Sequence, residues 1–265
     1  NFRSPVTANQ IGRGVGPAYL DKVGRAGIRV GDLLDEEALV PRLEQTLKFK
    51  NALITKIYGQ DPLSRDELLT QCLEWGEKLR PYVRATEEIV RDLLDQNKSV
   101  LLEGAQGTML DIDHGSYPYV TSSSPTIGGA CTGLGINPQA IAGVLGVFKA
   151  YSTRVGSGPM PSELNDEVGA AIREKAKEFG TTTGRARRIG WFDAVAARYS
   201  CLLNGFTGLV VTRLDILDGF KTVKICVGYR ANGQDVPRFP ANTGLLERCE
   251  PVYEELAGWV EPTAS

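Results

Sequence analysis

The sequence has one histidine, no CxxC pair, no long apolar run and almost no net charge, and each shortage excludes something. With His114 alone, and no Ser or Cys elbow, a histidine-assisted hydrolase nucleophile has no candidate. The five cysteines (Cys72, Cys131, Cys201, Cys226, Cys249) are odd in number and widely spaced. That reads as buried, reduced thiols of a cytosolic protein, not a disulfide frame or a zinc site. No stretch approaches the roughly 18 apolar residues of a membrane helix. The first ten residues lack both an initiator Met and an apolar signal core, so the chain reads as cytoplasmic and as beginning in mid-protein. A net charge of −2 gives no global pull toward nucleic acid or anionic membrane, so any phosphate must be held by local clusters of Arg and Lys. No GxxxxGK[ST] occurs, which disfavours a general P-loop GTPase. Internal repeats and low-complexity tracts are absent as well.

What remains is ordinary globular composition, 42% hydrophobic and 23% charged, at a length that suits one large domain or two small ones. Residues 11–35, rich in Gly and charge, read as a loop leading to a short ordered stretch. Leu39, Leu43 and Leu47 repeat at helical spacing and predict a helix over Asp35–Lys50. A Ser-x-x-Glu cap at Ser64 and Glu67 opens a second helix to Leu79, and a third spans Thr86–Gln96. Ser99–Glu103 reads as a buried strand entering the glycine turn 104–107. Residues 111–135 hold too much Ser, Thr, Gly and Pro for regular structure throughout. Helices are expected over Pro138–Ser152, Leu164–Phe179 and Trp191–Asn204. Strands are expected at Leu209–Thr212 and Val223–Tyr229, with a hairpin turn at Gly233. This order predicts an α/β fold, a central, mostly parallel sheet flanked by helices.

Four places could carry chemistry. Gly180–Arg188 holds three threonines, two glycines and three arginines. Forked guanidinium donors and backbone N–H groups freed by glycine suit an anion; the alternative is a mobile basic surface loop. Arg213 and Asp215 follow an apolar strand, in the arrangement that reads guanine: the carboxylate accepts from the base, and the basic residue's stem lies across the ring. The alternative is a strand-end Asp that caps the next turn. Gln106, between two glycines, can address a purine edge or satisfy its own turn. His114 beside Asp113 could be a general base or a structural loop residue. Asp111 and Asp113 alternate with Leu110 and Ile112, so both could point one way, yet no metal-ligand set closes around them.

Taken together, these segments resemble adenylosuccinate synthetase. The resemblance rests on Gly104-Ala-Gln-Gly-Thr-Met-Leu-Asp-Ile-Asp-His-Gly-Ser-Tyr-Pro-Tyr-Val-Thr-Ser-Ser123, Arg13-Gly-Val-Gly-Pro-Ala-Tyr19, Tyr151-Ser-Thr-Arg-Val-Gly156 and Glu178–Arg188. Leu214-Asp-Ile-Leu-Asp-Gly219 and Glu250–Trp259 extend it, so that it covers about residues 11–260 in order. It implies a P-loop NTPase-like adenylosuccinate synthetase fold, present here in part, over a single domain 1–265 whose first ten residues do not match. It also implies GTP-dependent joining of L-aspartate to IMP in AMP synthesis, with Mg²⁺ as cofactor. By position, Arg25, Gln106, Thr121, Val155 and Arg185 would bind IMP, with Arg25 reaching the partner's site in a homodimer. Thr181, Thr182, Thr183, Gly184, Arg185, Ala186 and Arg187 would close over aspartate. Arg187, Arg213, Leu214 and Asp215 would border GTP.

The sequence departs from the family pattern in several ways. The family's amino-terminal phosphate loop, with its catalytic Asp and magnesium contact, has no counterpart in these residues. Neither do its catalytic His and the segment that finishes the guanine pocket, so no catalytic or metal residue is assigned here. A Thr-Thr-Gly triplet is missing between Gly12 and Arg13, and Arg213 replaces a Lys. The expectation is a chain that cannot make adenylosuccinate by itself, with part of its sheet uncovered, prone to aggregate and melting early and broadly. The alternative is a catalytically dead nucleotide-binding remnant that only dimerises or regulates.

Overall fold

The computed structural model describes residues 14–180 and 184–263, which form two compact units, 14–92 and 93–263. The first unit is helical. Helix α1 spans Val15–Val23, α2 Glu36–Lys56 and α3 Arg65–Leu79, and α4 (Thr86–Asp95) runs into the second unit. Asp35 caps α2 by accepting from the Ala38 N–H, and Ser64 caps α3 by accepting from the Glu67 N–H, as the capping pattern predicts. Leu39, Leu43 and Leu47 form the buried stripe of α2. Residues 14–35 are not the expected loop. Pro17 in the first turn, followed by Ala-Tyr-Leu, supports α1, and a 3₁₀ turn covers Val30–Leu34.

The second unit is α/β. Its strands are β1 (Leu145–Lys149), β2 (Tyr151–Arg154), β3 (Arg188–Asp193), β4 (Gly208–Thr212), β5 (Thr222–Ala231), β6 (Gln234–Val236) and β7 (Glu250–Ala257). Its helices are α5 (Ile127–Leu134), α6 (Glu167–Ala176), α7 (Ala194–Asn204) and the short α8 (Thr243–Leu246). Among the described residues the parallel pair β1–β4 forms a sheet of its own, and the parallel pair β3–β5 belongs to a five-stranded sheet with antiparallel additions: β2 on β3, and β6 and β7 on β5. The β5–β6 hairpin turns on Asn232-Gly233, both at positive φ, the signature of a tight two-residue hairpin. Tyr151, Ile172, Ile189, Trp191, Ile216, Leu217 and Val223 form one core cluster; Val195, Cys226, Tyr229 and Leu246 centre a second. Asp193 ends β3 and starts α7, accepting from the Val195 and Ala196 N–H groups and from the Tyr229 hydroxyl at 2.6 Å.

Several elements differ from expectation. Pro138–Ser152 is not a helix: a single 3₁₀ turn over Pro138–Ala140 gives way to β1. Gly143 and Gly146 weaken a helix there, and a Cβ at Gly146 would collide with the Phe206 ring at 2.6 Å, a fit that only a strand backbone makes. Trp191 belongs to β3, because Asp193 sets the helix start three residues later than the apolar pattern suggests. The helix expected over Leu164–Phe179 is shorter, because Asp166 caps it at its start. Ser99–Glu103 pairs with no strand among the described residues, and Leu101 is 92% exposed. Cys72, Cys226 and Cys249 are buried as expected, whereas Cys131 and Cys201 are half-buried; all five are free.

Parallel strands are ordinarily covered on both faces. In the β1–β4 pair, Leu145, Val147 and Val210 share one face by register, and they are 67%, 69% and 43% exposed. The 265-residue chain is therefore expected to self-associate through this face. Val147→Lys should lower the associated fraction in sedimentation velocity without lowering the melting temperature; unchanged association would contradict it.

Candidate functional site

The second unit gathers most of the expected site residues around two buried carboxylates. The first, Asp111, is fully buried. Its Oδ1 accepts from the Asp113 and His114 N–H groups at 3.0 Å, and its Oδ2 accepts from the Ser124 and Thr126 hydroxyls at 2.5 and 3.1 Å. Burial opposes the charge, but the Ser124 hydroxyl and the other donors outweigh it and hold the carboxyl below its usual range. Asp111 thus folds the Ser- and Gly-rich segment 108–126 back on itself. Thr121 N–H donates to Leu110 O within that fold, and Gln106 Nε2 donates to Thr121 Oγ1 at 3.2 Å. Gln106 and Thr121, fifteen residues apart, are therefore neighbours, and Gln106 sits at positive φ on the exposed rim.

This arrangement corrects one reading and decides between the two alternatives for His114. Asp111 and Asp113 do not point the same way: Asp111 is buried and Asp113 exposed, because a turn and not a strand carries them. His114 is engaged through its backbone, its N–H to Asp111 and its carbonyl to the Tyr199 hydroxyl, so the loop-structural alternative describes its contacts. No group of three or more His, Cys, Asp or Glu that could hold a metal comes together among the described residues. With the oxygens of Asp111 already taken by four donors, the described residues do not fit Mg²⁺.

The second carboxylate, Glu178, lies at the foot of the 180–188 loop and is 3% exposed. Its Oε1 accepts from Lys149 Nζ at 2.6 Å and from the Tyr151 hydroxyl at 2.7 Å, and its Oε2 accepts from an Arg187 guanidinium nitrogen at 2.5 Å. Burial works against its charge, yet the Lys149, Tyr151 and Arg187 donors keep the carboxyl below its ordinary range. Burial, reinforced by Glu178, pushes the Tyr151 hydroxyl up to about 12. The loop base is then closed by backbone bonds: Arg187 N–H to Glu178 O, Gly180 N–H to Arg185 O and Gly184 N–H to Gly180 O. Phe179 and Ala186 form a bridge pair across it. Thr181, Thr182 and Thr183 lie outside the described residues.

Arg187 and Arg188 of this loop diverge. Arg187 is held by Glu178, while Arg188 is spent on structure: it ion-pairs with Glu163 and donates to the Gly156 and Gly158 carbonyls. Arg188 therefore does not add an anion-binding charge, as the count of three arginines would suggest. Its role is to hold the segment after β2, where exposed Val155 sits. Arg154 grips the same region, donating to the Ser157 and Tyr119 carbonyls and to Ser116 Oγ, and burial lowers its guanidinium to about 10. Val155 is thereby tied to the loop that carries Thr121.

At the end of β4, Arg213 takes a left-handed backbone conformation and donates to Ala176 O at 2.5 Å, two residues before Glu178. Its charge lies beside the Tyr151 hydroxyl. Leu214 is exposed, and Asp215 is half-buried in the first turn of the 3₁₀ helix Leu214–Leu217, which has no side-chain cap. The turn-capping alternative for Asp215 does not hold. Arg25, in the first unit, is an exposed left-handed residue just after α1. Sequence reasoning missed Glu178, Lys149, Tyr151 and Arg154; the Glu-Phe-Gly preceding the loop was the one local hint.

The profile of the adenylosuccinate synthetase family matches residues 5–265, which extends past the motif reading at both ends, over 5–10 and 261–265. An adenylosuccinate synthetase of Carboxydothermus hydrogenoformans is 57% identical over 256 residues, 96% of this chain and 60% of that protein. One of Dehalococcoides mccartyi is 54% identical over 248 residues, 94% and 59% respectively. A structure of fully ligated adenylosuccinate synthetase from Plasmodium falciparum superposes with a TM-score of 0.87 at 38% identity, covering 96% of this chain and 60% of that one. The chain thus spans about 60% of the length of the curated relatives it matches. No helix among the described residues is long and apolar enough to cross a membrane.

Asp111 should be a large contributor to stability. Asp111→Asn places a donor against groups that already donate, with an expected cost of about 1–3 kcal/mol in denaturant unfolding. Because the folded carboxyl titrates below its usual value, its contribution is present above about pH 4 and lost as the pH falls through the folded pKa. The variant should lack that acid-dependent component; parallel stability curves below pH 4 would refute the assignment.

Proposed function

The chain belongs to the adenylosuccinate synthetase family, and we propose that it carries the aspartate-, IMP- and guanine-binding part of a GTP-dependent ligase. In the proposed reaction the purine 6-oxygen of IMP attacks the γ-phosphorus of GTP and GDP leaves. The aspartate amine then attacks C6, and phosphate departs carrying that oxygen. Inosine-side contacts are assigned to Gln106, Thr121, Val155 and Arg185, with Arg25 reaching the partner's site in a cytoplasmic homodimer. Aspartate falls to the 181–187 loop, and GTP to Arg187, Arg213, Leu214 and Asp215.

The observation that carries this reading is the contact of Arg213 with Ala176 O at the foot of the arginine loop. It brings the base-reading segment and the anion-binding segment to one place, as transfer from a guanine nucleotide onto a neighbouring substrate requires. The Asp215 carboxylate makes no hydrogen bond or ion pair among the described residues, which suits an acceptor for N1–H and the exocyclic amine of guanine. Phosphoryl transfer demands dense positive charge around the transferred group, and Lys149, Arg187 and Arg213 contribute to it. Mg²⁺ and the catalytic acid–base groups are assigned to no residue of this chain.

Two outcomes are expected. The isolated 265-residue polypeptide, given IMP, GTP, Mg²⁺ and aspartate, should bind ligands without turnover; steady formation of adenylosuccinate would refute this. In calorimetry it should prefer GDP to ADP, and Asp215→Asn should weaken GDP about ten- to hundredfold while leaving ADP unchanged, the range for a hydrogen bond to a charged group. Equal binding of GDP by both proteins would remove Asp215 from the guanine site and favour the non-catalytic remnant.

A further inference from the structure

Glu178 contacts no expected ligand position itself, yet three side chains from three parts of the chain converge on it. Lys149 comes from the end of β1, Tyr151 opens β2, and Arg187 closes the arginine loop. Tyr151 in turn lies beside the guanidinium of Arg213, which is anchored on Ala176 O. A second backbone tie runs from Arg173 Nε of α6 to Arg187 O at 2.7 Å. The Arg187 Nε atom is buried and has no hydrogen-bond partner among the described residues, so Glu178 directs only one end of that fork and leaves donor capacity at the other.

We propose that Glu178 is a positioning residue that fixes Arg187 directly and Arg213 through Tyr151, so that these two arginines are set as one unit. This rests on the reading of Arg187 and Arg213 as ligand-facing. A carboxylate at the centre serves this purpose because it accepts from several donors at once. A neutral amide accepts on one side only and would turn its NH₂ against Lys149 or Arg187. The link to Arg213 is indirect: its own acceptor is Ala176 O, and Tyr151, which donates to Glu178, stands beside its guanidinium.

The test uses the whole chain and the variants Glu178→Gln, Glu178→Asp and Tyr151→Phe. Arginine accessibility is read by phenylglyoxal modification followed by peptide mass spectrometry, with exposed Arg230 as internal control. Glu178→Gln should speed modification of both Arg187 and Arg213 several-fold with Arg230 unchanged, and Glu178→Asp should restore part of the protection. Tyr151→Phe should release Arg213 alone. Unchanged rates at either arginine in Glu178→Gln, or an equal rise at all arginines, would overturn the proposal, the second by showing only general loosening. Calorimetry with GDP and with L-aspartate then separates this from the functional reading. Glu178→Gln should weaken both ligands about tenfold, and loss of one alone would overturn the coupling. If the unsubstituted chain binds neither ligand, the functional reading fails, while the modification rates still decide the positioning role.

Discussion

A carboxylate withdrawn from water stays ionised only where donors replace its hydration, and Glu178 meets that condition with a lysine, a tyrosine and an arginine. Each donor comes from a different segment, so satisfying one charge fixes three pieces of backbone. β1 and β2 are joined by a single residue, Ala150, and present Lys149 and Tyr151 to the same oxygen. Arg187, just before β3, reaches the other oxygen. Removing one donor would leave the rest of the set under-compensated, which is why such clusters behave as units rather than as sums of pairs.

Asp111 solves the same problem by different means. Among the described residues no cation pairs with it; two backbone N–H groups and two hydroxyls face it. The difference matters for what each loop can do. Segment 108–126, built on neutral donors, gains shape without gaining charge, and with the neighbouring Gln106 it presents amide and hydroxyl groups such as those of Gln106 and Thr121. The arginine loop gains both shape and charge. A polar heterocycle suits the first surface and an anion the second.

The sequence was most legible where proposed function and local pattern coincide. Gly180–Arg188, Gln106 in its glycine turn, and Arg213 with Asp215 all stand out as strings. The helices α2 and α3 were readable from leucine spacing and a cap. Glu178 was not, because a lone Glu before Phe-Gly looks like any helix-end carboxylate, and its partners lie up to twenty-nine residues away. Arg188 was misleading for the complementary reason: composition counts charges, whereas the backbone decides where they point. One residue further along, at the start of β3, its guanidinium turns away toward Glu163 and two carbonyls. Misread Pro138–Ser152 shows the same limit. Ile141, Val144, Leu145 and Phe148 fit a helical face, but Gly146 packed on Phe206 and the parallel partner β4 are tertiary facts that the helical period cannot register.

Pairing might be thought to spend the loop's charge and leave little for a ligand, but the balance at the hub says otherwise. Glu178 is one negative charge against two positive ones, Lys149 and Arg187, so the cluster is net positive even when every bond in it is made. Arg213 adds a further positive charge beside Tyr151. Both ion-paired cations keep about a third of their side-chain surface open, 32% for Lys149 and 28% for Arg187, whereas the carboxylate keeps 4%. The negative charge is therefore screened from an approaching ligand by the protein, and the positive charges are not. Burying the acid and exposing the bases lets one carboxylate order the site without cancelling its attraction for an anion.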